Sequence, residues 1–185
     1  MSDNPILAAE KAHLGQLLEA IQRCVYFLDA ASRKLPWPLR GAELQRRKKD
    51  EALFEALSAF NERFSKLQDT LGAAMRHACL LLGESTESFL KVLAYYEKQA
   101  VIESISTWQV LRTARNLAAH DYETDYAVIA EHFNTLYELV PVLYRSAFLF
   151  LKLCDTTLRI EPAALDFSCE FIAITGREDY KVRKR

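Results

Sequence analysis

Four side chains suited to phosphate chemistry lie within eight positions of each other, in the stretch RNLAAHDY at residues 115–122. Arg115 can offer a planar fork of N–H donors to phosphate oxygens. His120 changes protonation near neutral pH and can take or give a proton. Asn116 follows the arginine directly, and Tyr122 lies two residues after the histidine. This combination is suited to binding or cleaving a phosphodiester.

The helical spacing around Arg115 places a charged group on an apolar face. A wheel at about 100° per residue puts the guanidinium among Trp108, Leu111 and Ala118. Such a charge needs compensation, from a carboxylate or from an anion bound in a cleft or interface. His120 falls about 140° further round the helix. The two side chains can converge if the helix ends near Ala119, or if two copies of the segment meet across a two-fold axis.

RNA is a substrate that this pair of groups could cleave. Its 2′-OH is a built-in nucleophile, so cleavage needs no metal ion or other cofactor in principle. One group must remove the 2′-OH proton, another must protonate the leaving 5′-oxygen, and a cation must stabilise the charge that develops on the phosphate. Arg115 and His120 are the predicted catalytic residues, and a homodimer would supply a second pair. Arg112 and Tyr126 are further candidates for RNA contact.

Structural interpretations of the same residues stay open. Arg115 could form an ion pair with a glutamate of a neighbouring helix, and His120 could interact with the last carbonyls of its own helix. Asn116 could make structural hydrogen bonds, and Tyr122 could be a loop or interface residue.

Composition limits the class of protein. The chain has 185 residues, of which 50% are hydrophobic and 26% charged, with only 5 glycines and 5 prolines. These values favour one all-helical domain. A net charge of −1 excludes a globally basic nucleic-acid binder, but a local basic patch remains compatible with it. The four cysteines form no CxxC pair, so buried free thiols are expected. Without a recognisable secretory signal or membrane span, we expect a soluble cytoplasmic protein.

Apolar periodicity predicts an antiparallel bundle of about five helices over residues 1–155, followed by a short irregular extension and basic tail over 156–185. Helices are expected over 6–34, 41–83 and 86–99, then from Ser104 or Ser106 through TWQVLRTARNLAAH at 107–120, and after Thr124 to about 154. The prolines of LPWPL should end the first helix, and Gly83 should end the second. Ser85 or Thr86 is the expected cap of the third helix and Thr124 that of the fifth. CEFIAIT, at 169–175, is predicted as a short strand.

The motif RNLAAHDY resembles the RX4HXY motif of HepT-like toxins, which belong to the HEPN superfamily of helical-bundle ribonucleases. The stretch RFSKLQDTLG, residues 63–72, resembles the long helix of such domains. Together the likeness covers about residues 50–155.

The resemblance implies a metal-independent endoribonuclease toxin whose active cleft forms at a homodimer interface. Arg115 and His120 would be catalytic, with Asn116 supporting them. It also implies a nucleotidyltransferase antitoxin as partner, and Tyr122 as the residue that such a partner can modify with AMP. HEPN-like bundles also serve as non-catalytic interaction or nucleotide-binding subunits, which is the alternative function.

Overall fold

The computed structural model describes residues 5–118 and 124–176, and within these residues the secondary structure is entirely helical. The chain forms the predicted helical bundle. In the described part of the chain, seven α-helices and one π-helical turn follow in order: α1 Pro5–Ser32, α2 Gly41–Arg46, α3 Glu51–Leu82, α4 Phe89–Lys98, α5 Ile105–Ala118, α6 Tyr126–Leu153, the turn Cys154–Leu158, and α7 Ser168–Thr175.

Two long helices, α1 and α3, pack along each other and supply much of the core. The predicted apolar stripe of α3 is confirmed: Leu53, Leu57, Phe60, Phe64, Leu67, Leu71 and Met75 are all buried. Residues of α1 at intervals of three and four meet this stripe, among them Leu14, Leu18, Ile21 and Val25. The LPWPL segment ends α1 as predicted. Beyond it, the Asn134 side chain on α6 bonds both the N–H and the C=O of Leu39, at 2.8 and 2.9 Å.

The predicted helix over 41–83 is wrong at its start, because residues 47–50 separate α2 from α3. Asp50 caps α3, since its Oδ1 accepts a hydrogen bond from Leu53 N at 3.0 Å. Its other carboxylate oxygen lies 2.6 Å from Nη2 of Arg47. Those hydrogen bonds, that from Arg47 above all, lower the pKa of Asp50. The C-terminal prediction is confirmed, because Gly83 ends α3 in the left-handed conformation at φ 73°.

Two predicted caps are displaced. Ser88, rather than Ser85 or Thr86, caps α4 by accepting from Lys91 N at 3.3 Å. Asp125, rather than Thr124, caps α6 by accepting from Ala127 N at 2.8 Å. In both cases a competent side chain lies closer to the first helical residue. Pro141 lies inside α6, as expected.

The C-terminal extension folds back on the bundle, and the predicted strand at 169–175 is wrong. This segment forms α7, which buries Phe171 and Ile174 and packs against α1 and α6. A helix satisfies its own backbone groups, whereas a lone strand beside helices would leave them unpaired. Before α7, Ala163 N donates to Gly15 O of α1 at 2.9 Å. The basic tail, 180–185, lies outside the described residues.

The four cysteines are free. Cys79 and Cys154 are buried as predicted, Cys24 is half-buried, and Cys169 on α7 is exposed. Burial raises the pKa of the Cys154 thiol to about 12. None of the helices within 5–118 and 124–176 combines the length and apolar character needed to span a membrane.

Candidate functional site

Arg115 lies in the last turn of α5 and points towards α3. Its Nη1 lies 2.6 Å from Asp69 Oδ1 and 3.3 Å from the carbonyl oxygen of Ser65. The Arg115 side chain is 15% exposed, whereas that of Asp69 is 64% exposed. The guanidinium is therefore compensated by a carboxylate of a neighbouring helix, as the ion-pair interpretation expected, although the partner is an aspartate. The pair itself remains open to water on the carboxylate side.

Buried contacts fix α5 against α3 just before this ion pair. Trp108 and Leu111 are 4% and 1% exposed. The Gln68 side chain, also buried, donates from Nε2 to the carbonyl oxygen of Trp108 at 3.2 Å. Its Oε1 has no hydrogen-bond partner within the described part of the chain. This packing determines which face of α5 carries Arg115 to the surface.

A cleft of about 570 Å³ opens between α3, α4 and α5 beside the ion pair. We call it the arginine cleft. Its chief lining residues are Asp69, Gly72 and Arg76 from α3, Phe89 from α4, and Trp108 and Arg112 from α5. The Arg76 guanidinium lies 5.8 Å from the centroid of the Phe89 ring, and that ring lies 6.2 Å from the Trp108 ring. The cleft thus combines an aromatic floor with charged walls.

The charge of the arginine cleft differs from that of the whole chain. Among the described residues that line it, Arg76, Arg112 and Arg115 are basic and Asp69 is the one acidic residue. The described lining residues therefore carry a net charge of +2, in a protein whose formal net charge is −1. A cleft with this excess of guanidinium groups favours an anionic ligand.

The structure brings some of the predicted site residues together and separates others. Arg112 and Arg115 share the arginine cleft. Asn116 is exposed at the position after Arg115. Tyr126 lies elsewhere, at the start of α6, with its ring 6.4 Å from that of Phe54. The remaining predicted residues, His120 and Tyr122, lie outside the described residues.

The histidines within the described ranges pack against neighbouring helices. His77 on α3 places Nε2 2.9 Å from the carbonyl oxygen of Glu10, and its ring meets that of His13 edge to face. His132 lines a shallow groove between α5 and α6.

Sequence reasoning missed Asp69 and Arg76 as site residues. Both lie on one face of α3, seven residues apart, with Gly72 between them. Glycine inside a helix is less favourable than alanine by about 1 kcal/mol, so its presence usually has a packing reason. Here a Cβ at Gly72 would lie 3.2 Å from Cζ of Phe89. A glycine in the middle of the predicted helix was the signal that this face approaches another element.

Comparisons with protein-family models, with curated proteins and with solved structures find no match to this chain. The likeness to HepT-like toxins therefore stays a prediction that rests on the motif.

Proposed function

We propose that this protein is a metal-independent endoribonuclease of the HEPN type: a cytoplasmic, HepT-like toxin that works as a homodimer beside a nucleotidyltransferase antitoxin. The observation that carries the proposal is the position of Arg115. Its guanidinium lines a cleft whose described residues carry an excess of positive charge. The residue itself belongs to the last turn of α5. Asn116 follows Arg115 directly, and His120 follows it by five residues. A phosphate that Arg115 binds would therefore be held by the same short motif that contains the imidazole.

In the proposed reaction, the 2′-OH of the substrate attacks the adjacent phosphorus. His120 of one protomer removes the 2′-OH proton as the new O–P bond forms. The bond from phosphorus to the 5′-oxygen breaks, and that oxygen receives a proton from the second imidazole of the dimer. The products are a 2′,3′-cyclic phosphate and a free 5′-OH. Arg115 stabilises the negative charge that grows on the phosphate oxygens during the reaction.

Asp69 would act as a positioning residue in this reaction. Its carboxylate and the Ser65 carbonyl both accept from Nη1, which restricts the orientation of the guanidinium plane. Nη2 and Nε carry three further N–H donors of the fork. A fixed plane lowers the cost of arranging these donors around a phosphate when the substrate binds.

The proposal is tested by incubating purified protein with single-stranded RNA in EDTA. The wild-type protein is expected to cut the RNA and to leave cyclic phosphate ends. His120→Ala and Arg115→Gln should each lower the rate by at least about 100-fold, as losses of transition-state stabilisation of this kind do. The matched control is Arg23→Gln, which changes an exposed arginine on α1 and should retain full activity. Folding of each variant is checked by circular dichroism, and wild-type rates in His120→Ala would refute the proposal.

The second candidate is a non-catalytic subunit that binds a nucleotidyltransferase. The Asp69–Arg115 ion pair favours this second candidate, because a guanidinium that is already paired within its own chain can have a purely structural role. This candidate predicts a stable complex with the nucleotidyltransferase, while RNA stays intact over the isolated protein. Incubation of the complex with ATP and mass spectrometry of the peptide with Tyr122 would show whether AMP is transferred.

A further inference from the structure

Two arginines of the cleft have no role in the proposed reaction. Arg76 on α3 and Arg112 on α5 are both exposed. No carboxylate of a described residue forms an ion pair with either of them. Unpaired arginines are common on protein surfaces, but these two face one concave site. Their guanidinium groups are available to an external anion.

The positive charges are spread along the cleft. Arg76 follows Asp69 by seven residues on α3, so its backbone lies two helical turns, about 10 Å, further along the helix than that of Asp69. Arg112 precedes Arg115 by one turn of α5, so these two side chains are neighbours on the helix surface. The three arginines are thus anchored at different positions along two helices. This spacing suits a ligand that carries successive phosphates.

Apolar and aromatic side chains lie between these charges. Leu90 lines the cleft and is 56% exposed, and Phe89 is half-buried between Arg76 and Trp108. Flat rings of nucleobases stack on aromatic side chains and on guanidinium planes. An exposed leucine beside a guanidinium–phenyl pair therefore offers a surface for a base. A volume of about 570 Å³ is also within the range of roughly 300–1,000 Å³ that small-ligand clefts have.

We infer that the arginine cleft is a nucleotide subsite for the RNA strand beside the scissile phosphate. Arg112 and Arg76 contact successive phosphates, and a base packs on Phe89 and Leu90. The inference rests on the proposed ribonuclease function, and it extends that site from the motif at the end of α5 to the facing surfaces of α3 and α4. It assigns binding roles to Arg76 and Phe89, which lie far from the motif in sequence.

Binding is tested with a short, fluorescently labelled 2′-O-methyl RNA, which lacks the free 2′-OH and so stays intact. The logarithm of its association constant is measured against the logarithm of the salt concentration. Each phosphate contact to a single strand contributes about 0.7 to that slope. Arg76→Gln and Arg112→Gln are each expected to lower the slope by about 0.7, and the double variant by about 1.4. Phe89→Leu should weaken binding without changing the slope.

Arg23→Gln is the control and should leave both affinity and slope unchanged. An Arg76→Gln variant with wild-type affinity and slope would overturn the inference, whether or not the wild-type protein cuts RNA. Strand binding that depends on Arg76, in a protein that leaves ordinary RNA intact, would instead refute the ribonuclease and keep the subsite. AMP is titrated as a second probe. Tight binding of AMP without strand binding would assign the cleft to a free nucleotide and overturn its assignment to RNA.

Discussion

The carboxylate of Asp69 on α3 lies 2.6 Å from Nη1 of Arg115 on α5, across 46 positions of the chain. This ion pair joins the two helices at the edge of the arginine cleft. Because the Asp69 side chain is 64% exposed, water screens much of the attraction. The contribution of the pair to folding is then small, and the proposed function gives the carboxylate the role of orienting the guanidinium.

A double-mutant cycle separates these two effects. Asp69→Asn, Arg115→Gln and the double variant are expected to give a coupling energy below about 1 kcal/mol in urea unfolding, as for other exposed ion pairs. Asp69→Asn should nevertheless lower kcat/KM for RNA by about 10- to 100-fold, because a misplaced guanidinium stabilises the transition state less well. Unchanged activity in Asp69→Asn would mean that the carboxylate does not position Arg115 for catalysis.

Gly72 lines the arginine cleft at the point where the Phe89 ring approaches α3. In Gly72→Ala, the new Cβ would lie 3.2 Å from Cζ of Phe89 and 3.6 Å from Cζ2 of Trp108. The gain in helix propensity and the crowding of Phe89 oppose each other, so stability should change by less than about 1 kcal/mol. Binding of the 2′-O-methyl RNA should weaken, because the displaced phenyl ring narrows the site. Thermal unfolding and fluorescence anisotropy measure the two effects, and tighter binding would contradict this account.

Gly83 allows the backbone conformation at the end of α3 to be tested without a change in side-chain packing. Its φ is 73°, and apart from Gly83 itself and its chain neighbours no heavy atom of a described residue lies within 4 Å of the position that a Cβ would occupy. Gly83→Ala should lower the free energy of unfolding by about 1–2 kcal/mol, which is the cost of the left-handed conformation for a residue with a Cβ. Gly83→Asn should cost less, since asparagine adopts this conformation more readily. Equal losses in urea denaturation would indicate that the backbone conformation is not the cause.

The sequence alone reveals some features of the helices and not others. The apolar stripe of α3 repeats at intervals of three and four, and the left-handed cap at Gly83 has a local cause, so both were predictable. The break at 47–50 was missed because arginine and lysine are good helix formers, although Asp50 three residues before Leu53 has the pattern of an N-cap. The strand prediction for 169–175 followed from its isoleucines and phenylalanine, whereas packing against α1 and α6 decides its structure.

The candidate site was predictable only in part. The types and order of Arg115, Asn116, His120 and Tyr122 are legible in the sequence. The ion-pair partner of Arg115 was not, because the pairing depends on how α5 packs against α3 and joins residues distant in the chain. The same is true of Arg76, whose role follows from its position across the cleft from Arg112.

The cysteines should differ sharply in reactivity. In iodoacetamide labelling of the native protein, the exposed thiol of Cys169 should react first, and Cys24 should follow slowly because burial raises its pKa. Cys79 and Cys154 should react only after unfolding. Burial raises the pKa of Cys154 to about 12, so thiolate is scarce there at neutral pH. Mass spectrometry follows the modified peptides, and Cys169→Ser should remove the fast phase. If a second cysteine reacted as fast as Cys169, the burial described for the other three cysteines would be contradicted.

The hydrogen bond from Ala163 N to Gly15 O joins two parts of the chain that lie on either side of residues 50–155. A Cβ at Gly15 would lie only 3.1 Å from the carbonyl oxygen of Glu161, so this close approach depends on the small size of glycine. A shortened protein cut to residues 50–155 would lose α1 and α7 together and expose the apolar face of α3 to water. We therefore expect this fragment to aggregate, and experiments on the motif should use a chain that includes both flanking segments.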